Sequence, residues 1–195
     1  MTSKTRGHFV CSGAAVMDLP RTHCDEIAFA GRSNVGKSTL LGCVLQKPKL
    51  VRSSRTPGRT QLLNLFSYGD KLNLIDLPGY GYAKLPKSQR RKLDHMVQSY
   101  LQERQNLRGV ILVVDSRRDP VSDYDHFVSR WVLETGQVLL LAITKIDQVP
   151  KNRRVHQIRR IENQLGMPKG VSVPCSGKTG EGRNELLRRI LELCA

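Results

Sequence analysis

Gly31-Arg32-Ser33-Asn34-Val35-Gly36-Lys37-Ser38, followed by Thr39, has the G-x-x-x-x-G-K-[ST] spacing of a loop built to hold phosphates. Its two glycines let the backbone curl so that successive N–H groups point at phosphate oxygens, and a helix beginning at the lysine adds its positive end. Lys37 is then placed for the β- and γ-phosphates and Ser38 for Mg²⁺. Downstream, Asp76-Leu77-Pro78-Gly79 closes an apolar stretch. Asp76 can hold the metal directly or through water, and the N–H of Gly79 can sense a γ-phosphate. Between these motifs lies Gly58-Arg59-Thr60. Thr60, just before a strand-like run, is the candidate to complete the metal's shell when a triphosphate is bound; Thr56 is the competitor. The metal set is therefore Ser38, Thr60 and Asp76, and the groups acting on the reacting phosphate are Lys37, Thr60 and Gly79.

Two later motifs choose the base. Thr144-Lys145-Ile146-Asp147 ends an apolar run. A carboxylate at Asp147 accepts two hydrogen bonds from the N1–H and 2-amino groups of guanine, a donor pair that adenine does not offer. Lys145 can lay its stem over the purine face. Asn is the usual first residue of such a motif; Thr144 loses the amide but keeps a hydroxyl that can tie the loop to its neighbours. Cys175-Ser176-Gly177-Lys178 follows the last strand-like segment, where a backbone N–H can read the guanine O6. These motifs, in this order, specify GTP and GDP as ligands together with Mg²⁺.

The elements that must position these residues alternate along the chain. Strands are expected at 26–30, 62–68, 71–76, 109–115, 137–144 and 171–174, with helices at 37–45, 87–105, 124–133, 152–165 and 183–193. The strands around Gly69-Asp70 read as a hairpin, and those at 109–115 and 137–144 are Val/Leu/Ile-dense, as parallel strands covered on both faces are. The pattern predicts an α/β fold: a three-layer, doubly wound P-loop GTPase domain whose mostly parallel sheet has one antiparallel strand. Residues 1–23 read as an N-terminal extension with an edge strand at 8–11, and residues 24–195 as a single G domain. The longest segment without periodicity, 47–60, is basic and lies where a nucleotide-sensing switch would be.

Composition narrows the partners. The 195 residues carry 32 Lys+Arg against 17 Asp+Glu, a net charge of +15, more than a nucleotide pocket needs. The excess points to a large polyanion, most simply nucleic acid. Five scattered cysteines, none in C-x-x-C spacing, suit reduced thiols in a cytosol rather than zinc or a disulfide framework. No apolar run reaches the ~20 residues a membrane span requires, so no membrane association is expected. Basic residues cluster at Lys84, Lys87, Arg90, Arg91 and Lys92; at Lys151, Arg153, Arg154, Arg159 and Arg160; at Arg183, Arg188 and Arg189; and at Arg117 and Arg118. Any of these could contact RNA phosphates, the first two above all. Trp131 reads as core, and the five histidines show no ligand spacing.

The chain resembles the bacterial EngB/YihA/YsxC ribosome-biogenesis GTP-binding proteins. The likeness rests on residues 31–38, on Arg55-Thr56-Pro57-Gly58-Arg59-Thr60-Gln61, on Asp76–Gly79 continued by Tyr80-Gly81-Tyr82-Ala83, and on Thr144–Asp147. It implies a Mg²⁺-dependent GTPase acting in assembly of the large ribosomal subunit, on its precursors and their rRNA; a cytoplasmic monomer is expected. The glutamine that many GTPases carry after D-x-x-G is replaced by Tyr80, so hydrolysis is expected to be slow. Asn34 holds the position that coordinates K⁺ in potassium-activated relatives. The rival readings are a signalling or trafficking GTPase with protein partners, an ATP-using phosphotransferase, and an RNA-binding protein that uses nucleotide only for stability.

Overall fold

Strand residues along the chain alternate between two apolar layers. Ala28, Ala30, Ile75, Val110, Leu112, Leu141 and Ile143 face one core, while Ile27, Phe29, Leu74, Ile111, Val113 and Ala142 face the other. A strand exposes alternate side chains on opposite faces, so a sheet apolar on both must be covered on both. The computed structural model describes residues 7–51, 62–81 and 86–195. In chain order the elements are β1 (His8–Gly13), β2 (Asp25–Gly31), α1 (Lys37–Val44), β3 (Leu63–Tyr68), β4 (Leu72–Asp76), α2 (Lys87–Glu103), β5 (Leu107–Asp115), α3 (Asp123–Glu134), β6 (Val138–Thr144), α4 (Lys151–Gln164), β7 (Val173–Pro174) and α5 (Arg183–Glu192). The described residues also include short 3₁₀ turns at Val16–Asp18 and Ile146–Gln148.

The seven-stranded sheet has the order β1-β3-β4-β2-β5-β6-β7. β3 is antiparallel to both β1 and β4, and every other pairing is parallel. One strand therefore runs against the rest, as the hairpin predicted. Tyr100 and Leu101 of α2, Val128 and Val132 of α3 and Ile161 of α4 bury in the first core. Leu40, Leu41 and Val44 of α1 with Leu186 and Ile190 of α5 bury in the second. This is the three-layer α/β arrangement expected. β1 joins the sheet edge against β3 and runs two residues beyond the expected edge strand.

One expectation changes, and one buried cluster had no sequence signal. Trp131 is half-buried at the rim of the first core, last in an aromatic row Tyr124–Phe127–Trp131, because α3 turns that face toward solvent at Phe127. A buried polar cluster also appears at the far end of the sheet: Glu26 accepts from Arg104 Nε and Nη2 and from the Tyr100 hydroxyl. With both carboxylate oxygens met by donors, this fully buried acid ties β2 to the end of α2. Among the described residues no helix is long and apolar enough to cross a membrane.

Candidate functional site

The carboxyl ends of β2, β4, β6 and β7 bring the sequence motifs together, at the place where open α/β sheets take their ligands. β2 ends at Gly31, where a Cβ would lie 2.7 Å from the Val113 carbonyl of β5, so only glycine lets the strands approach there. The chain then turns through Asn34 (φ 65°) and Gly36 (φ 103°) into α1. No side chain caps α1 and no acid occupies its first turn. Its positive N-terminal end is therefore not neutralised by its own turn, which suits an incoming anion. Arg32, Ser33, Ser38 and Thr39 are half-buried around this loop, Val35 is buried beneath it, and Asn34 is exposed.

The D-x-x-G segment continues alongside the loop. Leu77 N donates to the Phe29 carbonyl, Tyr80 N to that of Gly31, and Ser33 N to that of Tyr80. These bonds lay buried Pro78 and Gly79 next to the phosphate loop. Tyr80 is locked in turn: its hydroxyl donates to Asp125 Oδ1 at 2.7 Å, and its ring packs on Tyr124 with centroids 4.4 Å apart. Burial, reinforced by the neighbouring Asp125 carboxylate, pushes its phenol well above the usual range.

Lys37 Nζ donates to Asp76 Oδ1 and, at 2.7 Å, to the Leu77 carbonyl. Asp76 is fully buried, yet its Oδ2 has no hydrogen-bond partner among the described residues. An unsatisfied buried carboxylate oxygen is costly unless a cation or donor arrives. Its position beside the Lys37–Ser38 turn fits a hard divalent cation with oxygen ligands, as Mg²⁺ requires. Gly58, Arg59 and Thr60 lie outside the described residues.

The base side is built as tightly. The Thr144 hydroxyl lies 2.5 Å from the Val35 carbonyl and 3.1 Å from that of Val114, so the tie expected of this residue fastens β6 onto the phosphate loop. Lys145 adopts a left-handed backbone (φ 59°), and its ammonium donates to the Asn34 carbonyl at 2.7 Å and to Asp115 Oδ2 at 2.8 Å. Its stem thereby crosses the loop; the Cε lies 3.6 Å from where a Gly36 Cβ would stand. Asp147 is half-buried in the 3₁₀ turn that follows. Cys175 is fully buried, and its carbonyl accepts from Ile146 N at 3.2 Å. Ser176 Oγ accepts from the N–H groups of Lys178 and Thr179, ordering the last loop. A Cβ on Gly177 would sit 2.8 Å from the Thr39 carbonyl carbon, so glycine alone allows this loop to rest on α1.

A family model described as "50S ribosome-binding GTPase" matches residues 26–145. A "Probable GTP-binding protein EngB" of Desulfatibacillum aliphaticivorans is 43% identical over 186 residues, covering 95% of this chain and 90% of that protein. The chain belongs to the EngB family of GTP-binding proteins. Another EngB relative, from Geobacter sulfurreducens, is 40% identical over 195 residues, covering 100% of this chain and 94% of its own length. The crystal structure of a probable GTP-binding protein engB superposes with a TM-score of 0.72 at 27% identity, over 87% of this chain and 98% of that one.

The structure also sorts the basic clusters. On α2, Lys87, Arg90, Arg91 and Lys92 are exposed, as are Lys151, Arg153, Arg159 and Arg160 on α4. On α5, Arg183 donates to the carbonyls of Cys43 and Val44 at the end of α1, Arg189 pairs with Glu185, and the exposed Arg188 pairs with Glu185 on the same helix. Arg117 is bound to Asp115 and Gln148, which the sequence reading missed. Lys84 lies outside the described residues.

Proposed function

We propose that this chain is a Mg²⁺-dependent switch that binds GTP, hydrolyses it slowly, and in its GTP form engages precursors of the large ribosomal subunit in the cytoplasm as a monomer. The observation that carries the nucleotide reading is the bolting of the base-reading loop to the phosphate loop, through Thr144 on Val35 and Lys145 on Asn34. One rigid unit then measures base and phosphates together. Lys37 leaves its internal acceptors for the β- and γ-phosphates, the N–H groups of the loop hold their oxygens, and Asp147 accepts from the guanine edge. Ser38, Thr60 and Asp76 are the residues that would hold Mg²⁺, which supplies charge neutralisation at the phosphates. Gly79 reports the γ-phosphate. With a buried tyrosine following it, this chain offers no side chain at that position to orient water, which supports a slow intrinsic rate.

The ribosomal reading is supported by the exposed cations on α2 and α4 together with the description of the matching family model. α2 begins shortly after the γ-phosphate sensor, so nucleotide state can alter how its cations are presented. The α4 cations add affinity for RNA phosphates that falls steeply with salt. Asn34 is exposed in the phosphate loop and suits K⁺ coordination. The direct test is turnover of GTP and ATP, with and without large ribosomal subunits, in KCl and in NaCl at equal ionic strength. The expected result is GTP-selective hydrolysis, faster with subunits and faster in KCl. ATP turnover at the GTP rate would overturn the nucleotide reading, no response to subunits the ribosomal one, and equal rates in both salts the K⁺ one.

A further inference from the structure

Arg117 looks from sequence like one more surface cation, yet nearly all its donors are used internally. Its backbone N–H and Nε donate to Asp115 Oδ1 at 3.1 and 2.9 Å, and Nη2 donates to Asp115 Oδ2 at 2.7 Å. The remaining arm, Nη1, donates to Gln148 Oε1 at 2.7 Å. Gln148 is the last residue of the 3₁₀ turn that carries Asp147. The Asp115 Oδ2 that accepts from Arg117 Nη2 also accepts from Lys145, whose ammonium in turn donates to the Asn34 carbonyl of the phosphate loop. Asp115 is buried at the end of β5 with only 3% of its side chain exposed. Burial opposes its charge, but the hydrogen bonds from Arg117 and Lys145 outweigh this and hold the carboxyl down at about 2.

We propose that Asp115 and Arg117 are positioning residues for guanine recognition, Asp115 fixing Lys145 over the base and Arg117 fixing through Gln148 the turn that presents Asp147. The inference rests on the reading of Asp147 as the guanine acceptor. The geometry explains why arginine is needed. A planar fork can grip both oxygens of Asp115 and still reach Gln148, whereas a lysine ammonium is a single point of contact. It also explains how the outer edge of the turn, exposed at Gln148, is held. Backbone bonds from Ile146 N to the Cys175 carbonyl and from Gln148 N to the Lys145 carbonyl fix its ends, and the Arg117–Gln148 bond ties its outer edge to β5. A turn held at three points presents its carboxylate in one orientation, which is what discrimination by paired hydrogen bonds requires.

The test compares GDP with inosine diphosphate, which lacks the 2-amino group, so the ratio of their affinities reports how well the carboxylate is aimed. Wild-type protein is expected to prefer GDP by about tenfold, in line with one lost hydrogen bond to a charged acceptor. In Arg117→Ala the GDP dissociation rate rises about fivefold to tenfold and the preference shrinks to within about threefold. Gln148→Ala gives the same direction, the double variant adds little to either, and Arg117→Lys does not restore the ratio. Thermal unfolding of each nucleotide-free variant accompanies the series. Equal loss of GDP and inosine diphosphate binding, with lowered stability, would reduce these residues to a structural role and overturn the proposal. So would unchanged nucleotide binding with weakened binding to large ribosomal subunits, which would return Arg117 to the RNA surface. Wild-type protein that takes ADP as tightly as GDP would instead remove the guanine reading itself.

Discussion

Asp76 and Asp115 end the two strands that flank β2, and both are buried there, at 0% and 2% exposure. Their surroundings are opposite. Asp76 meets Lys37 with one oxygen and leaves the other without a partner among the described residues. Asp115 has both oxygens filled by Arg117 and Lys145. A carboxylate saturated by the protein's own cations has nothing left to offer a metal, and it acts as a strut. One left half-satisfied still has an oxygen to offer a ligand, at a standing cost in stability. The proposed phosphate end thus keeps an unsatisfied oxygen, and the proposed base end has its acid fully partnered within the protein.

Asp76→Asn should break the first half of this contrast with the largest effect. It keeps the shape and an acceptor for Lys37 but removes the charge on the free oxygen. Mg²⁺-supported GTP affinity or turnover should fall about 100-fold or more, the scale of losing one preorganised electrostatic contact. Titration with and without a chelator reads this, and a variant that still responds fully to Mg²⁺ would refute the assignment of Asp76. Next comes Gly177→Ala. Its methyl must push the last loop off the backbone of Thr39 and Leu40, where a Cβ would lie within 2.9 Å of the Leu40 nitrogen. Denaturant unfolding should register a loss of about 1–3 kcal/mol, together with weaker GDP binding, as overpacking predicts.

Asp115→Asn should act on the base end and leave Mg²⁺ dependence alone. Both cations it holds are partly exposed, at 48% and 23%, and can be rehydrated. The expected cost is therefore about 1–2 kcal/mol, below that of breaking a fully buried pair. If this variant loses Mg²⁺ response as steeply as Asp76→Asn, the contrast between the two ends collapses. The smallest expected effect is in pH. Because the folded carboxyl sits at about 2, below its unfolded value near 3.9, its contribution is complete above about pH 4 and is lost as pH falls toward 2. The stability gap between wild type and Asp115→Asn should stay level from pH 8 to 5 and narrow only below about pH 4. A gap already closing near pH 6 would mean that the Asp115 carboxyl is not held low.

The two ends also differed in how readable they were. Asp76 can be singled out from sequence as a metal-ligand candidate, because it ends an apolar strand and opens a D-x-x-G downstream of a phosphate loop. Asp115 ends an equally apolar strand but has no motif. Its role depends on Lys145, far along the chain, arriving across the β5–β6 pairing, and spacing does not encode that. Most helices and strands fell within two residues of their expected ends, since period-2 and period-3.6 patterns are strong where both sheet faces are covered. The contacts of long polar side chains were not legible. Arg117 and Arg183 have the same sequence signature as the exposed Arg153 and Arg159, and only tertiary contacts separate a strut or helix cap from a surface cation. Trp131 failed likewise, because α3 has more apolar residues than its buried face can take.

The central claim is that nucleotide state gates binding to ribosomal particles. Co-sedimentation with purified large ribosomal subunits at one moderate salt concentration tests it most directly, with a non-hydrolysable GTP analogue set against GDP. Binding that is strong with the analogue and weak with GDP is the predicted result. Equal binding in both states would contradict it, leaving the exposed cations of α2 and α4 as a generic attraction to RNA.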